Sequence, residues 1–105
     1  MVISFANKAL RELCEDASRA EQELGETAMR QLIQRLADLN AATDLADVIA
    51  GNPRSINQTE FAVDLAASFM LTLTCSELKP PRMHDGSIDW LKVRRVKLVA
   101  ISLVS

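Results

Sequence analysis

The sequence predicts one small α/β domain of the α+β kind: a leading strand, two helices and then three strands. Three observations carry this expectation. Apolar residues recur at helical spacing from Leu10 to Leu39, then alternate with polar ones from Phe61 onward. No composition break or linker divides the chain. Its 105 residues fit one domain spanning 1–105, with 49% hydrophobic and 25% charged residues, the balance of a globular chain with a modest core.

Each element has a local reason. Val2 to Phe5 is a short β-prone run. Asn7 is suited to cap a first helix, because its side-chain oxygen can accept from free first-turn N–H groups. Leu10, Leu13, Cys14 and Ala17 form one apolar stripe, with Lys8, Arg11, Glu12 and Glu15 outside it. The stripe blurs between Asp16 and Gln22, where the helix is expected to bend or end, and Gly25 is the clearest break. Ala28, Met29, Leu32, Ile33, Leu36 and Leu39 then give a second helix, opened by Gly25 or Thr27, with Arg30, Gln31, Gln34, Arg35 and Asp38 on its polar side. Two amphipathic helices so close in sequence are expected to form an antiparallel hairpin on one face of a sheet. Thr43 to Ile49 predicts a short helical turn capped by Thr43 or Asp44 and ended by Gly51-Asn52-Pro53.

The period then changes to two. Phe61, Val63 and Leu65 alternate with Glu60, Ala62 and Asp64. Ala66-Ala67-Ser68 is a tight connection to Phe69, Leu71, Leu73 and Cys75, which alternate with Met70, Thr72 and Thr74. Ser76 to Gly86 is a polar loop, and Val93 to Val104 reads as the last strand. The predicted order is β-α-α-β-β-β: a twisted, mainly antiparallel sheet with the helical hairpin on one face and a partly open, concave face opposite.

Composition narrows the function classes. The net charge of -2 weighs against indiscriminate nucleic-acid binding, although Lys92, Arg94, Arg95 and Lys97 crowd near the C-terminal end. Acidic residues gather earlier, at Glu12, Glu15, Asp16, Glu21, Glu23 and Glu26. Cys14 and Cys75 lie far apart within apolar patterns; no disulfide is expected, and Cys14 reads as an inert core thiol. The opening apolar run is too short for a signal peptide, and no stretch reaches the roughly 20 apolar residues of a spanning helix. A cytoplasmic location without membrane association is the default expectation. There is no Gly-rich phosphate loop, Cys-x-x-Cys pair or His/carboxylate cluster at metal spacing, so neither cofactor nor metal is expected.

Several segments carry a resemblance. Ile3-Ser4-Phe5-Ala6-Asn7-Lys8-Ala9-Leu10 with Leu13-Cys14, Glu23-Leu24-Gly25 with Ala28, and Gln34-Arg35-Leu36-Ala37-Asp38-Leu39 are in sequence order. Ala41-Ala42-Thr43-Asp44-Leu45, Phe61-Ala62-Val63-Asp64-Leu65, Gly86-Ser87-Ile88-Asp89-Trp90, Val93 and Val96-Lys97-Leu98-Val99-Ala100-Ile101 continue it. Together they resemble the killer-protein branch of the RelE/HigB toxins across nearly the whole chain. The resemblance implies a RelE/HigB toxin-like fold and the toxin component of a bacterial toxin–antitoxin (plasmid maintenance) system. It also implies a family of mRNA endoribonucleases acting on the ribosome, and a cognate antitoxin, a small helix-turn-helix protein, as partner.

The departures fall where that family carries its chemistry. Its His-x-Leu-Lys-Gly-like segment is replaced by Arg54-Ser55-Ile56-Asn57-Gln58-Thr59. Its Tyr-Arg-Leu-x-Phe pattern is matched by Phe69-Met70-Leu71-Thr72-Leu73, which puts Met70 at the Arg position as a degenerate catalytic residue. Its Asp-Tyr-His-like tail is replaced by Ser102-Leu103-Val104-Ser105, and the chain has no Tyr. Cleavage through a 2′-hydroxyl needs a base, an acid for the leaving oxygen and a cation for the phosphorane charge. His84, the sole histidine, is the one candidate acid or base, with Asp85 beside it, against its reading as an exposed loop residue. Arg54, Lys79 and Arg82, expected in loops by the open face, and Arg95 and Lys97, expected on one side of the last strand, are the RNA-binding candidates. The plain alternatives are solvated loops and an edge strand guarded by charge. Trp90 is expected to pack against the sheet rather than stack on a base.

Three readings follow: a toxin-type nuclease with a rearranged set around His84, Arg82 and Arg54; a degenerate toxin that keeps the fold and antitoxin surface but little or no catalysis; and an unrelated α/β adaptor. The missing side chains favour the second.

Overall fold

In the computed structural model, which describes residues 1–104, β1 (Val2–Phe5) is followed by α1 (Lys8–Glu15), α2 (Ala17–Leu24) and α3 (Glu26–Ala41). Then come β2 (Arg54–Ser55), β3 (Glu60–Asp64), β4 (Phe69–Cys75) and β5 (Arg95–Leu103). The α+β class and the mainly antiparallel sheet match expectation. The element order does not: there are three helices rather than a two-helix hairpin, and a fifth strand.

The extra helix boundary has a clear cause. Asn7 caps α1 as predicted, its Oδ1 accepting from Leu10 N–H at 2.9 Å. Asp16 then leaves the helical region, with φ -116° and ψ 101°, and its carboxylate accepts from Arg19 N–H at 3.3 Å, so one residue ends α1 and caps α2. Ala17 therefore opens a new, exposed turn instead of extending the first stripe. Gly25, at φ 88°, separates α2 from α3. In α3, Ala28, Leu32 and Leu39 are buried as expected, whereas Ile33 is 48% exposed. Arg35, assigned to the polar side, instead has a largely buried side chain and an ion pair to Asp38 at 2.6 Å. Asp44 caps the predicted short turn, a 3-10 helix at Leu45–Asp47, by accepting from Ala46 N–H at 2.8 Å.

The strands lie in the order β1-β5-β4-β3-β2. β1 runs parallel to β5, with Ile3 opposite Val96 and Phe5 opposite Leu98; the other pairs are antiparallel. Alternation puts Phe61, Val63, Leu71, Leu73, Val96 and Leu98 on the face covered by the helices, where Leu13, Ala20, Leu32 and Leu39 complete the core. Ile88, Trp90 and Val93 close one end of it, and the Trp90 ring tilts against Phe61 at 5.2 Å between centroids, as the packing reading of Trp90 requires. The Met1 ammonium donates to the carbonyls of Leu39, Asn40 and Ala42 at the C-terminus of α3, the negative end of its dipole. No helix is long and apolar enough to cross a membrane among the described residues.

Two turns hold the strands in register. Gly51, at φ 87°, accepts from Asp64 N–H at 2.6 Å, and a Cβ there would lie 2.6 Å from Val63 Cγ1 and 2.9 Å from Asp64 O. The β3–β4 reversal instead places two residues with side chains, Ala67 and Ser68, in the left-handed region at φ 59° and 63°. Each costs about 1–2 kcal/mol there. Gly51→Ala is expected to lower the unfolding free energy by about 3 kcal/mol through strain and overpacking. The double change Ala67→Asn, Ser68→Gly, which suits a two-residue hairpin turn, is expected to raise it by about 1–2 kcal/mol. Urea unfolding midpoints at constant m-value measure both.

Candidate functional site

The face of the sheet away from the helices carries both Arg54 and Met70. Cross-strand pairing defines its rows. Ser4, Lys97, Thr74 and Glu60 form one row; Ala100, Thr72, Ala62 and Arg54 the next; Ser102, Met70 and Asp64 the third. Small side chains line the middle of this face: Ala62 and Thr72 are buried although no helix covers them. Arg95 follows Lys97 on the same side, paired with Val2, as alternation predicts.

Arg54 does not sit in a loop. It lies on β2, a two-residue strand, and its side chain reaches across β3 toward Met70. Its Nη1 donates to Asp64 Oδ1 at 3.1 Å and to the Asn52 carbonyl at 2.9 Å, and its Nη2 stands 3.6 Å from Met70 Sδ. The structure thus brings a guanidinium beside Met70, supplied from the neighbouring edge, with a carboxylate on it. Both partners are about one-third exposed, at 35% and 38%, so the pair contributes about 0–1 kcal/mol to stability. Its larger consequence is electrostatic, because Asp64 offsets the positive charge that a phosphate would meet. Asp64 was not among the candidates from the sequence, although the alternation of β3 and β4 sets it on the same face as Met70.

The remaining candidates fall into two other groups. Lys79 lies in the β4–β5 loop and lines a surface cleft of about 650 Å³ with Ser76, Glu77, Leu78, Arg94 and Arg95. Lys79 and Arg95 are thereby brought together. Glu77 accepts from Arg94 N–H at 2.6 Å, and the Arg94 guanidinium donates to the carbonyls of Leu91 and Val93, so it serves the loop itself. Among the described residues, no ion pair or side-chain hydrogen bond engages Lys79, Arg95 or Lys97.

His84 and Arg82 share a separate cleft of about 480 Å³ with Met83, Asp85, Asp89 and Lys92. Arg82 pairs across a single β-bridge with Ile88, and its Nη1 donates to Gly86 O at 2.9 Å. Asp85 accepts from Ser87 Oγ at 2.5 Å and from Ser87 N–H at 2.9 Å, and these two bonds hold its carboxyl below the usual carboxylate range. Asp85 therefore shapes its own turn rather than orienting His84. The loop is anchored by Ile88 and Trp90, which join the core beside Phe61. His84 is exposed, and no hydrogen bond or ion pair among the described residues links it to Arg54, Arg95 or Lys97. The expected trio of His84, Arg82 and Arg54 is not brought together: Arg82 lines the His84 cleft, whereas Arg54 is paired with Asp64 on the open sheet face.

Charge is distributed unevenly along the chain. Residues 1–50 hold nine acidic and five basic side chains, while residues 54–97 hold five acidic and seven basic. No group of three or more His, Cys, Asp or Glu side chains arranged to hold a metal occurs among the described residues. Arg95, Lys97 and Lys79 can meet an anion by charge, and the sheet face lacks a histidine to move a proton. No protein-family model, curated protein or solved structure matches the chain.

Burial, with a smaller contribution from Glu15, pushes the Cys14 thiol up to about 11. A rise from 9.0 to about 11 leaves about one-hundredth of the ordinary thiolate. Iodoacetamide at pH 8 is expected to alkylate Cys14 about a hundredfold more slowly than an unfolded control, read by peptide mass spectrometry.

Proposed function

We propose that this chain is a RelE/HigB-like toxin component of a bacterial toxin–antitoxin pair, with weak or absent mRNA cleavage. Its retained role is binding a cognate antitoxin, a small helix-turn-helix protein, in the cytoplasm. The resemblance across the sequence motivates the family, and the α+β architecture is compatible with it. One observation carries the catalytic half of the reading: the position expected to hold an arginine carries Met70, and the nearest guanidinium, Arg54, is occupied by Asp64. Phosphorane charge needs a free, preorganised cation, and proton transfer needs a group within reach of the same phosphate. His84, in a separate cleft that Arg54 and Met70 do not line, does not meet that requirement. The uncommitted Arg95 and Lys97 favour a second reading, in which the domain still holds mRNA or ribosomal RNA without cutting it efficiently.

Induction of the gene alone in a bacterium is expected to leave growth unchanged, and the product of the adjacent gene is expected to co-purify with the protein. Growth arrest with ribosome-dependent mRNA cleavage, abolished by His84→Ala, would overturn the weak-catalysis reading. The paired change Asp64→Asn, Met70→Arg is expected to raise affinity for single-stranded RNA about tenfold at low salt, with a steeper salt dependence measured by fluorescence anisotropy.

A further inference from the structure

Arg94 and Arg95, where β5 begins, join three separate segments of the chain. Val2 N–H donates to Arg94 O at 3.0 Å, and Val2 pairs with Arg95 across the β1–β5 ladder. Ser76 N–H donates to Arg95 O at 3.0 Å, which fixes the start of the β4–β5 loop. The Arg94 guanidinium donates at 3.0 Å to the carbonyl of Leu91, in the 3-10 turn at Trp90–Lys92. Each of these segments presents one large apolar side chain to solvent: Leu78 is fully exposed, Leu91 is 61% exposed and Val2 51%. Scattered single exposures are ordinary, but three around one pair of residues form a patch.

The patch is also basic. The cleft that Leu78 borders carries Lys79, Arg94 and Arg95 against one acid, Glu77. Glu77 is engaged by the Arg94 N–H at 2.6 Å, whereas Lys79 and Arg95 have no ion-pair partner among the described residues. The whole chain has a net charge of -2, so attraction to an anionic surface depends on this local cluster. Two features decide the class of partner. Aliphatic side chains offer RNA bases no stacking face, and neither the cleft nor the three apolar positions supplies an aromatic ring. Leu78 protrudes fully, so a rigid protein would need a matching socket for it. A lipid headgroup layer deforms around such a side chain and offers phosphates to the cations beside it.

We propose that the patch around Arg94 and Arg95 docks the chain on an anionic lipid surface. Leu78, Leu91 and Val2 enter the headgroup layer, and Lys79, Arg94 and Arg95 meet lipid phosphates. The contact is peripheral, since no helix among the described residues is long and apolar enough to cross a membrane. It departs from the default expectation of no membrane association, which rested on the lack of a spanning or leader segment in the sequence. The inference is independent of the toxin reading, since it uses neither Met70, Arg54 nor His84. It shares Arg95 with the RNA-holding alternative, so Leu78 is the residue that separates the two.

The test is co-sedimentation of the full chain with vesicles of mixed phosphatidylglycerol and phosphatidylcholine, against vesicles of phosphatidylcholine alone. Binding to the anionic vesicles is expected to be about tenfold tighter and to weaken with salt. Lys79→Glu and Leu78→Ser are each expected to lower it about tenfold. Both side chains are exposed, so the melting temperature should hold in either variant. Leu78→Ser should leave affinity for single-stranded RNA, read by anisotropy, unchanged. A nitroxide carried on the lipid should broaden the NMR amide signals of Val2, Leu78 and Leu91 and spare those of Ile49 and Leu103, which are exposed elsewhere. Absence of vesicle binding, equal binding to both vesicle types, or binding unaltered by Leu78→Ser would each overturn the proposal. So would broadening centred on Ile49 or Leu103, or binding to polyglutamate or RNA in place of vesicles.

Discussion

The parallel pairing of β1 with β5 is the constraint on which the rest of the structure depends. It joins residues 2–5 to residues 95–98, so nearly the whole chain must be ordered before it can form. Closing so long a loop is entropically costly, and the return is burial: Ile3 and Phe5 pack on the core beside fully buried Val96 and Leu98. The pairing also sets where the helices start. Ala6 N–H still bonds to Leu98 O, and the chain turns at once into the Asn7 cap, which swings α1 over the end of β1. Contact between the Met1 amine and the last carbonyls of α3 ties the other end of the helical layer to the same strand. Loosening β1 would therefore release the position of all three helices as well as one strand.

Much of this architecture was legible because it rests on local chemistry. Asn7 and Asp44 cap where their side chains can reach free N–H groups, and the alternation from Phe61 to Cys75 fixes which side chains face the helices. What was missed depended on competition or on distant partners. Asp16 sits where one more helical residue would fit, and only the balance between extending α1 and capping α2 decides for the break. Arg35 looked solvated because its neighbours in sequence are polar. Its burial comes from Gly51, which lets the loop before β2 close over α3, a contact no periodicity reveals. β2 is too short to carry a pattern at all.

The candidate site was legible residue by residue and not as an assembly. Arg54, Lys79, Arg82, His84, Arg95 and Lys97 are polar and accessible to differing degrees, as their types suggest. Their grouping follows from two features outside any motif. One is the register that places Arg54 near Asp64 and Met70. The other is the anchoring of Ile88 and Trp90 in the core, which goes with a separate cleft for the His84 loop. A motif search sees a histidine and several cations in one short domain. The fold sets the histidine and Arg54 in separate clusters, and general acid–base catalysis depends on having a proton-transfer group within reach of the reacting group.

The same separation bears on how a domain of this size can hold partners. The segment with the helices, residues 1–50, has more acidic than basic side chains and residues 54–97 slightly more basic than acidic, while the net charge stays near neutral. The bulge at Val99 lies where β1 stops pairing with β5. By shifting the β4–β5 register it keeps Lys97 on the open face while Leu98 and Ile101 both remain against the helices, which strict alternation would forbid. Without the extra residue, Ile101 would turn outward and the β5 edge beside α1 would lose its apolar floor. One inserted residue thus keeps Ile101 against the core while Lys97 stays on the open face, and these two outcomes cannot be varied independently by sequence change at that point.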